Sequence, residues 1–225
     1  MKPALIRQHV EYAPPGLLAA WLEARGLPYE VDRSWVGAPL PDPRRYAFVA
    51  SLGHSRGPGD THEPAVAAEL ELLGRAVAIG VPVLGLCYGG EALAAVLGGR
   101  VERAAVPELG WREIETDDPE LVPPGPWLEW HFERFTTPPR ATEIARTADA
   151  TQAFRLGPHL AVQFHPESTV DIVAGWARLD REQLAALGIE DGAALLTAPP
   201  GRHEEARAAA FRLFDAFLAQ ASDQY

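Results

Sequence analysis

Apolar and polar positions follow two rhythms along the chain. Ala4 to Val10 is apolar enough for a buried strand, and Tyr29 to Asp32 is a second, shorter candidate. Between them, Leu17, Leu18, Trp21 and Leu22 recur at helical spacing over Gly16 to Arg25, and Gly26 stops that helix. Tyr46 to Leu52 is a near-continuous apolar run, as expected of a strand covered on both faces. It ends at Gly53 in a Gly/Pro-rich loop. Glu63 to Ile79 carries Val66, Leu70, Leu73 and Val77 on one helical face and ends at Gly80. Val81 to Cys87 then reads as another buried strand, and Gly90 to Leu97 as a helix closed by Gly98 and Gly99.

This alternation of strand and helix predicts an α/β layered fold with a mainly parallel sheet. Further along, helices thin out. Arg100 to Glu115, Trp127 to Thr136, Thr142 to Thr147, Ala153 to Leu156 and Leu160 to Phe164 all read as strands, so the late part of the sheet is expected to be mixed or antiparallel. After Pro166 the pattern is helical over Ser168 to Leu179, Arg181 to Leu187 and Glu204 to Ala219. The last segment places Ala206, Ala210, Leu213, Phe214 and Phe217 on one face.

Composition narrows the class. The 225 residues suffice for one large domain and are short for two, and no repeat or low-complexity linker divides them. Residues 1–225 are therefore expected to form one domain, with about 180–225 as a helical extension packed on it. A net charge of −11 argues against phosphate backbones, hence against nucleic acid as a partner. The N-terminal apolar run is too short for a signal peptide. Other apolar stretches are broken by glycine, well below the roughly 20 residues a spanning helix needs, so no membrane association is expected. Cys87 is the only cysteine, which excludes an intrachain disulfide and a Cys-rich zinc site and fits a reducing, cytoplasmic setting. No metal or cofactor site is expected, and no phosphate-cradling fingerprint for ATP is present.

Cys87 lies in Gly85-Leu86-Cys87-Tyr88-Gly89, between a predicted strand and a predicted helix. A nucleophile elbow has this form: the turn is tight, side chains at the flanking positions would collide with neighbouring segments, and the helix N-terminus favours a thiolate. A buried structural thiol satisfies the same pattern. Gln163-Phe164-His165-Pro166-Glu167 follows a later strand. There His165 suits a base and Glu167 a carboxylate folded back onto its ring, although a surface His and Glu at a strand end would look alike in isolation.

Taken together, the two segments resemble the class I glutamine amidotransferases, whose elbow reads G-x-C-x-G-x-Q and whose later box reads Q-x-H-P-E. Glu108-Leu109-Gly110-Trp111 is similar to the family's intervening segment, and the likeness extends over about residues 4–180. The resemblance implies a flavodoxin-like three-layer sandwich. It implies Cys87 as nucleophile toward a γ-glutamyl amide, His165 as base and then acid, and Glu167 as the group that orients His165. It implies an oxyanion site formed by the N–H groups of Tyr88 and Gly53. Gly53 keeps the second glycine of the family's loop, while Leu52 replaces the first.

Glu91 stands where most members carry Gln. An ionised Glu only accepts hydrogen bonds, so it would welcome a substrate ammonium and repel a carboxylate. Glu at this place also occurs in γ-glutamyl hydrolases of the superfamily. Trp127-Leu128-Glu129-Trp130-His131 resembles the pocket-lining segment, which makes His131 a substrate-binding candidate beside Glu91. His54 and His62, flanking the loop after Gly53, are expected on the surface. The acidic positions Glu113, Glu115, Asp117, Asp118 and Glu120 are expected on a solvated hairpin edge.

Three functions follow for comparison. The first is a stand-alone glutaminase that takes glutamine and feeds ammonia to a separate synthetase subunit. The second is an independent hydrolase of other γ-glutamyl amines or peptides. The third is a non-catalytic interaction protein on the same fold.

Overall fold

The structure is a computed structural model that describes residues 2–37 and 39–222. Strands β1 (Ala4–Gln8), β2 (Tyr29–Arg33), β3 (Val49–Ser51) and β4 (Val83–Leu86) alternate with helices α1 (Gly16–Ala24), α2 (Pro64–Ala78) and α3 (Tyr88–Val96). Then come β5 (Val101–Arg112), β6 (Glu115–Thr116), β7 (Trp127–Phe135), β8 (Thr142–Arg146), β9 (Thr151–Leu156) and β10 (His159–Val162). Helices α4 (Val170–Leu179), α5 (Arg181–Ala186) and α6 (Arg202–Ser222) complete the described chain.

The main sheet runs β2-β1-β3-β4-β10-β9-β8-β6. The pairs joining β2, β1, β3, β4 and β10 are parallel; β9, β8 and β6 add antiparallel pairs at one side. The five parallel strands follow the doubly wound order in which the chain reverses direction between β1 and β3, the flavodoxin-like arrangement the resemblance implies. In such sheets the site forms outside the carboxyl ends of the strands.

Period-two alternation sets the layers. Ala4, Ile6, Ala50, Leu84 and Val162 face one core with Leu18, Trp21 and Leu22 of α1 and Leu213, Phe214 and Phe217 of α6. Leu5, Val49, Val83 and Ala161 face the opposite core with Leu72 and Leu73 of α2 and Leu93 of α3. Of the α6 positions predicted to share a face, Ala210, Leu213, Phe214 and Phe217 are buried and Ala206 is half-buried.

Three expectations change. Arg100 to Glu115 is not one strand of the main sheet. β5 stops at Arg112, pairs only with β7 as a separate two-stranded ribbon, and β6 alone joins the sheet edge. The ribbon's apolar positions explain this: Leu109, Leu128 and Trp130 pack with Val173 and Trp176 of α4 and Leu184 of α5 rather than with the sheet. Of the Tyr46 to Leu52 run, β3 takes Val49–Ser51; Ala47, Phe48 and Leu52 still bond to the β1 segment, while Tyr46 N–H turns back to Pro43 O. The acidic stretch is tied down more than a free edge would be: Arg146 binds Asp117 and Glu115, and Arg202 binds Glu113. Among the described residues no helix is long and apolar enough to cross a membrane.

Candidate active site

Strand β4 delivers Cys87 into a sharp turn that becomes α3. Cys87 has φ 50° and ψ −110°, a conformation that side chains rarely adopt, with its N–H donating to Val162 O at 2.9 Å. The surrounding glycines show why the turn closes. A Cβ on Gly85 would lie 2.5 Å from Gly89 O, one on Gly89 would overlap Ser51 O, and one on Gly90 would lie 2.8 Å from Val162 O. Three backbones therefore converge beneath the thiol, and only glycine lets them do so. Tyr88 is the first residue of α3, so its N–H is among those with no partner within the helix.

His165 arrives from the end of β10. Its N–H donates to Leu128 O of β7 at 2.9 Å, and its carbonyl accepts from Ser168 Oγ at 2.8 Å. Glu167 folds back as expected, with Oε1 2.7 Å from His165 Nδ1, and both side chains are buried. The Glu167 carbonyl accepts from Leu17 N–H at 2.8 Å, which anchors the turn to α1. Trp176 packs its ring 4.5 Å from the imidazole and donates from Nε1 to Tyr12 O at 2.8 Å. Burial works against a charged His165, but Cys87 and Glu167 beside it outweigh burial and hold the imidazole well above its ordinary pKa. Nε2 is buried without a hydrogen bond of ordinary geometry; such bonds often tighten only when substrate is bound. Gly53 passes so close that a Cβ there would sit 3.2 Å from His165 Cε1.

The structure thus brings Cys87, His165, Glu167, Gly53 and Tyr88 together at the carboxyl ends of β3, β4 and β10. Cys87, His165 and Gly53 line a cleft enclosing about 850 Å³ including its open mouth, and Glu91 and His131 line it too.

Glu91 is buried, and Gln163 Nε2 donates to its Oε1 at 3.0 Å while lying 4.0 Å from Cys87 Sγ. Burial pushes the Glu91 carboxyl up to about 7; the Gln163 hydrogen bond pulls the other way and Glu133 adds to the rise. Burial thus favours the protonated carboxyl, where the sequence suggested an ionised acceptor. Protonated, it both donates and accepts, as Gln does.

His131 ion-pairs through Nε2 with Glu108 at 3.2 Å and Glu129 at 3.4 Å, while Nδ1 lies 2.7 Å from Glu133 O. Burial opposes its charge, but the two carboxylates prevail and raise it to about 10, so a buried imidazolium stands in the cleft wall. Pairing of Glu108 with His131 across the β5–β7 ribbon creates this arrangement.

His54 is not the free surface residue expected. Its ring stacks 5.6 Å from that of His9, and Tyr88 meets it edge-on at 5.1 Å. His62 is exposed as expected. Gln163, Tyr12, Trp176 and His9 carry no role of their own in the sequence, and Trp130 enters only within the pocket-lining segment. Gln163 sits inside the motif that located His165. Trp176 lies on an ordinary apolar helix stripe, and nothing in its spacing sets it apart from a core residue. No group of three or more His, Cys, Asp or Glu residues suited to a metal occurs among the described residues.

The class defined by this fold and cleft is the one its relatives share. The family described as glutamine amidotransferase class-I matches residues 52–172, more than half of the chain, and the chain belongs to that family. Its similarity to curated proteins runs to glutamine-hydrolysing GMP synthases. That of Aeropyrum pernix is 37% identical over 134 residues, covering 56% of this chain and 25% of the relative. That of Thermomicrobium roseum is 38% identical over 120 residues, covering 50% of this chain and 22% of the relative. The matches span about a quarter of the length of these relatives. A solved glutamine amidotransferase from Methylobacillus flagellatus superposes with a TM-score of 0.86 at 26% identity, covering 98% of this chain and 95% of that one. A second, from Thermotoga maritima, shares the fold with a TM-score of 0.86 at 24% identity, covering 96% of this chain and 97% of that one.

Proposed function

We propose that the chain is a glutaminase that hydrolyses the side-chain amide of glutamine and passes ammonia to a separate synthetase. The observation that carries this is the meeting of a strained Cys87 with a His165 held by Glu167 at 2.7 Å. The synthetase partner is supported by the names of the curated relatives, of which this chain matches only a part.

The thiol proton passes from Cys87 to His165 Nε2, and Sγ attacks the amide carbon. The carbonyl π electrons move to oxygen, where the N–H groups of Gly53 and Tyr88 receive the negative charge. Collapse of that intermediate breaks the C–N bond while His165 returns its proton to nitrogen, releasing ammonia and leaving a γ-glutamyl thioester. Water, deprotonated by His165, then attacks the thioester; Sγ leaves, recovers the proton, and glutamate departs. Glu167 holds the imidazole in the tautomer that presents Nε2 to sulfur and stabilises it when charged. Glu91 and His131 bind the amino-acid end of the substrate.

A nucleophile that must stay reduced supports a cytoplasmic setting. The whole chain acts as one unit, with about 180–225 as a helical extension; α6 shares its core with the sheet.

Glutamate release from glutamine, with Cys87→Ala beside it, tests the reading, with and without a co-purified partner. Turnover abolished by the substitution is the expected result. No turnover under either condition, with no labelling of Cys87 by a glutamine-like electrophile, would sink it and favour a non-catalytic role. Glu91 in the place of Gln supports the second reading, a hydrolase of other γ-glutamyl amides. Faster turnover of γ-glutamyl amines than of glutamine, without a partner, would select it.

A further inference from the structure

Behind the cleft lies a buried polar cluster to which the reaction above assigns no task. His9, at the end of β1, is 3% exposed. Its Nε2 lies 3.1 Å from Ser51 Oγ and 3.7 Å from Glu69 Oε1. Glu69, on α2, is fully buried and receives the Arg7 Nε–H at 2.7 Å; Arg7 also pairs with Asp32. A charged relay from β2 through β1 to α2 therefore ends on one imidazole.

That imidazole touches both segments that flank the thiol. On one side it hydrogen-bonds Ser51, whose carbonyl underlies Gly89, and its ring stacks on His54 with planes 4° apart. Ser51 and His54 bracket Leu52 and Gly53. On the other side it meets the Tyr88 ring at 5.0 Å, and Tyr88 also meets His54 at 5.1 Å. The three rings form a closed triangle of contacts at distances favourable for aromatic pairs.

We propose that His9 is a positioning residue that fixes the Gly53 and Tyr88 amides relative to each other, an inference that rests on the reading of these two as the oxyanion donors. The two amides belong to different loops, one after β3 and one after β4. An oxyanion site works only if its donors are held at the right separation before the reaction, because reorganising them during it would cost rate. His9 contacts both loops, beside the direct Tyr88–His54 contact, and Glu69 and Ser51 fix its ring plane. Burial holds His9 neutral, down at about 4; Arg7 and His54 lower it further while Glu69 works against them. Its charge is therefore constant across the working range of pH.

The test compares His9→Ala with His9→Gln, which keeps a side-chain amide within reach of Ser51, and His9→Phe, which keeps a ring. Two reactions of Cys87 are measured in the full chain. Acyl transfer from γ-glutamyl p-nitroanilide passes through an oxyanion; alkylation by iodoacetamide displaces iodide at sulfur and does not. In His9→Ala, kcat for acyl transfer is expected to fall roughly 10- to 100-fold, short of the loss from deleting a donor outright. KM and the alkylation rate should stay within about twofold of the parent, and His9→Gln or His9→Phe should recover part of kcat. Acyl transfer and alkylation falling together, or neither changing, overturns the proposal. Amide hydrogen exchange supplies a readout independent of turnover. Exchange at residues 51–54 and 88–90 should accelerate in His9→Ala while residues 209–217 do not change, and unchanged exchange at 51–54 overturns the proposal. A parent chain that turns over no γ-glutamyl amide would instead overturn the reading of the donors' function, and exchange then decides whether His9 positions the two loops.

Discussion

Glu91→Gln converts the chemistry of the cleft into a stability measurement. Glu91 is buried against Gln163, and its carboxyl is pushed from 4.5 up to about 7. Between those values the native state keeps a proton that the unfolded chain releases. The native advantage is therefore complete below about 4.5, declines through the window up to about 7, and is constant above it. The gap is about 2.5 pH units, which at 1.36 kcal/mol per unit amounts to about 3 kcal/mol withheld from the protein at alkaline pH. Gln carries no such titration and can still present its carbonyl oxygen to Gln163. The substituted protein should gain about 3 kcal/mol on the parent between pH 4.5 and pH 8, or roughly 6–12 °C in melting temperature for a chain of this length. Urea unfolding at half-unit steps across that range gives the two curves. Parallel curves, with no widening gap between pH 5 and pH 8, would refute the argument from burial. The same titration predicts a kinetic signature: the ratio of kcat/KM for glutamine, Glu91→Gln over parent, rises with pH through 7. A ratio independent of pH would remove Glu91 from substrate recognition.

Three further outcomes are expected. Cys87→Gly should abolish turnover yet raise stability by about 1 kcal/mol in chemical denaturation, since glycine relieves the positive φ at that position. Glu167→Gln should leave the fold intact in circular dichroism and lower kcat by the order of 10⁴-fold in a glutamate-release assay, because Gln cannot hold the same tautomer of His165 or stabilise its charged form. Phe214→Ala should cost about 3–5 kcal/mol in unfolding experiments, because the ring is fully buried between α1 and the sheet; a smaller loss, or a separate unfolding step, would detach α6 from the core.

The parts of this molecule legible in the sequence are those encoded over a few residues. Gly85 to Gly90 must turn sharply whatever surrounds them, and His165 with Glu167 sits within one turn of chain. The β-α alternation through Val96 likewise reads directly, because apolar runs and helical stripes differ in period. Partner choice between distant strands does not read this way. β5 and β7 have a strand's alternation, but which surface their apolar side covers is decided by Trp176 and Leu184, far along the chain. The same holds for His54, whose neighbours are His9 and Tyr88, and for the charge on Glu91, which depends on burial that no local pattern states. The family motif gave Glu91 its place but not its protonation.

The hydrogen bond from the His165 backbone N–H to Leu128 O ties the segment that carries the base to the β5–β7 ribbon. The ribbon pairs with no strand of the main sheet, yet Trp127 and Phe135 of β7 reach into its two cores. The base is thereby held from two ladders at once, by β10 behind it and by β7 across it, whereas the turn at Cys87 is anchored to the main sheet through Val162 O.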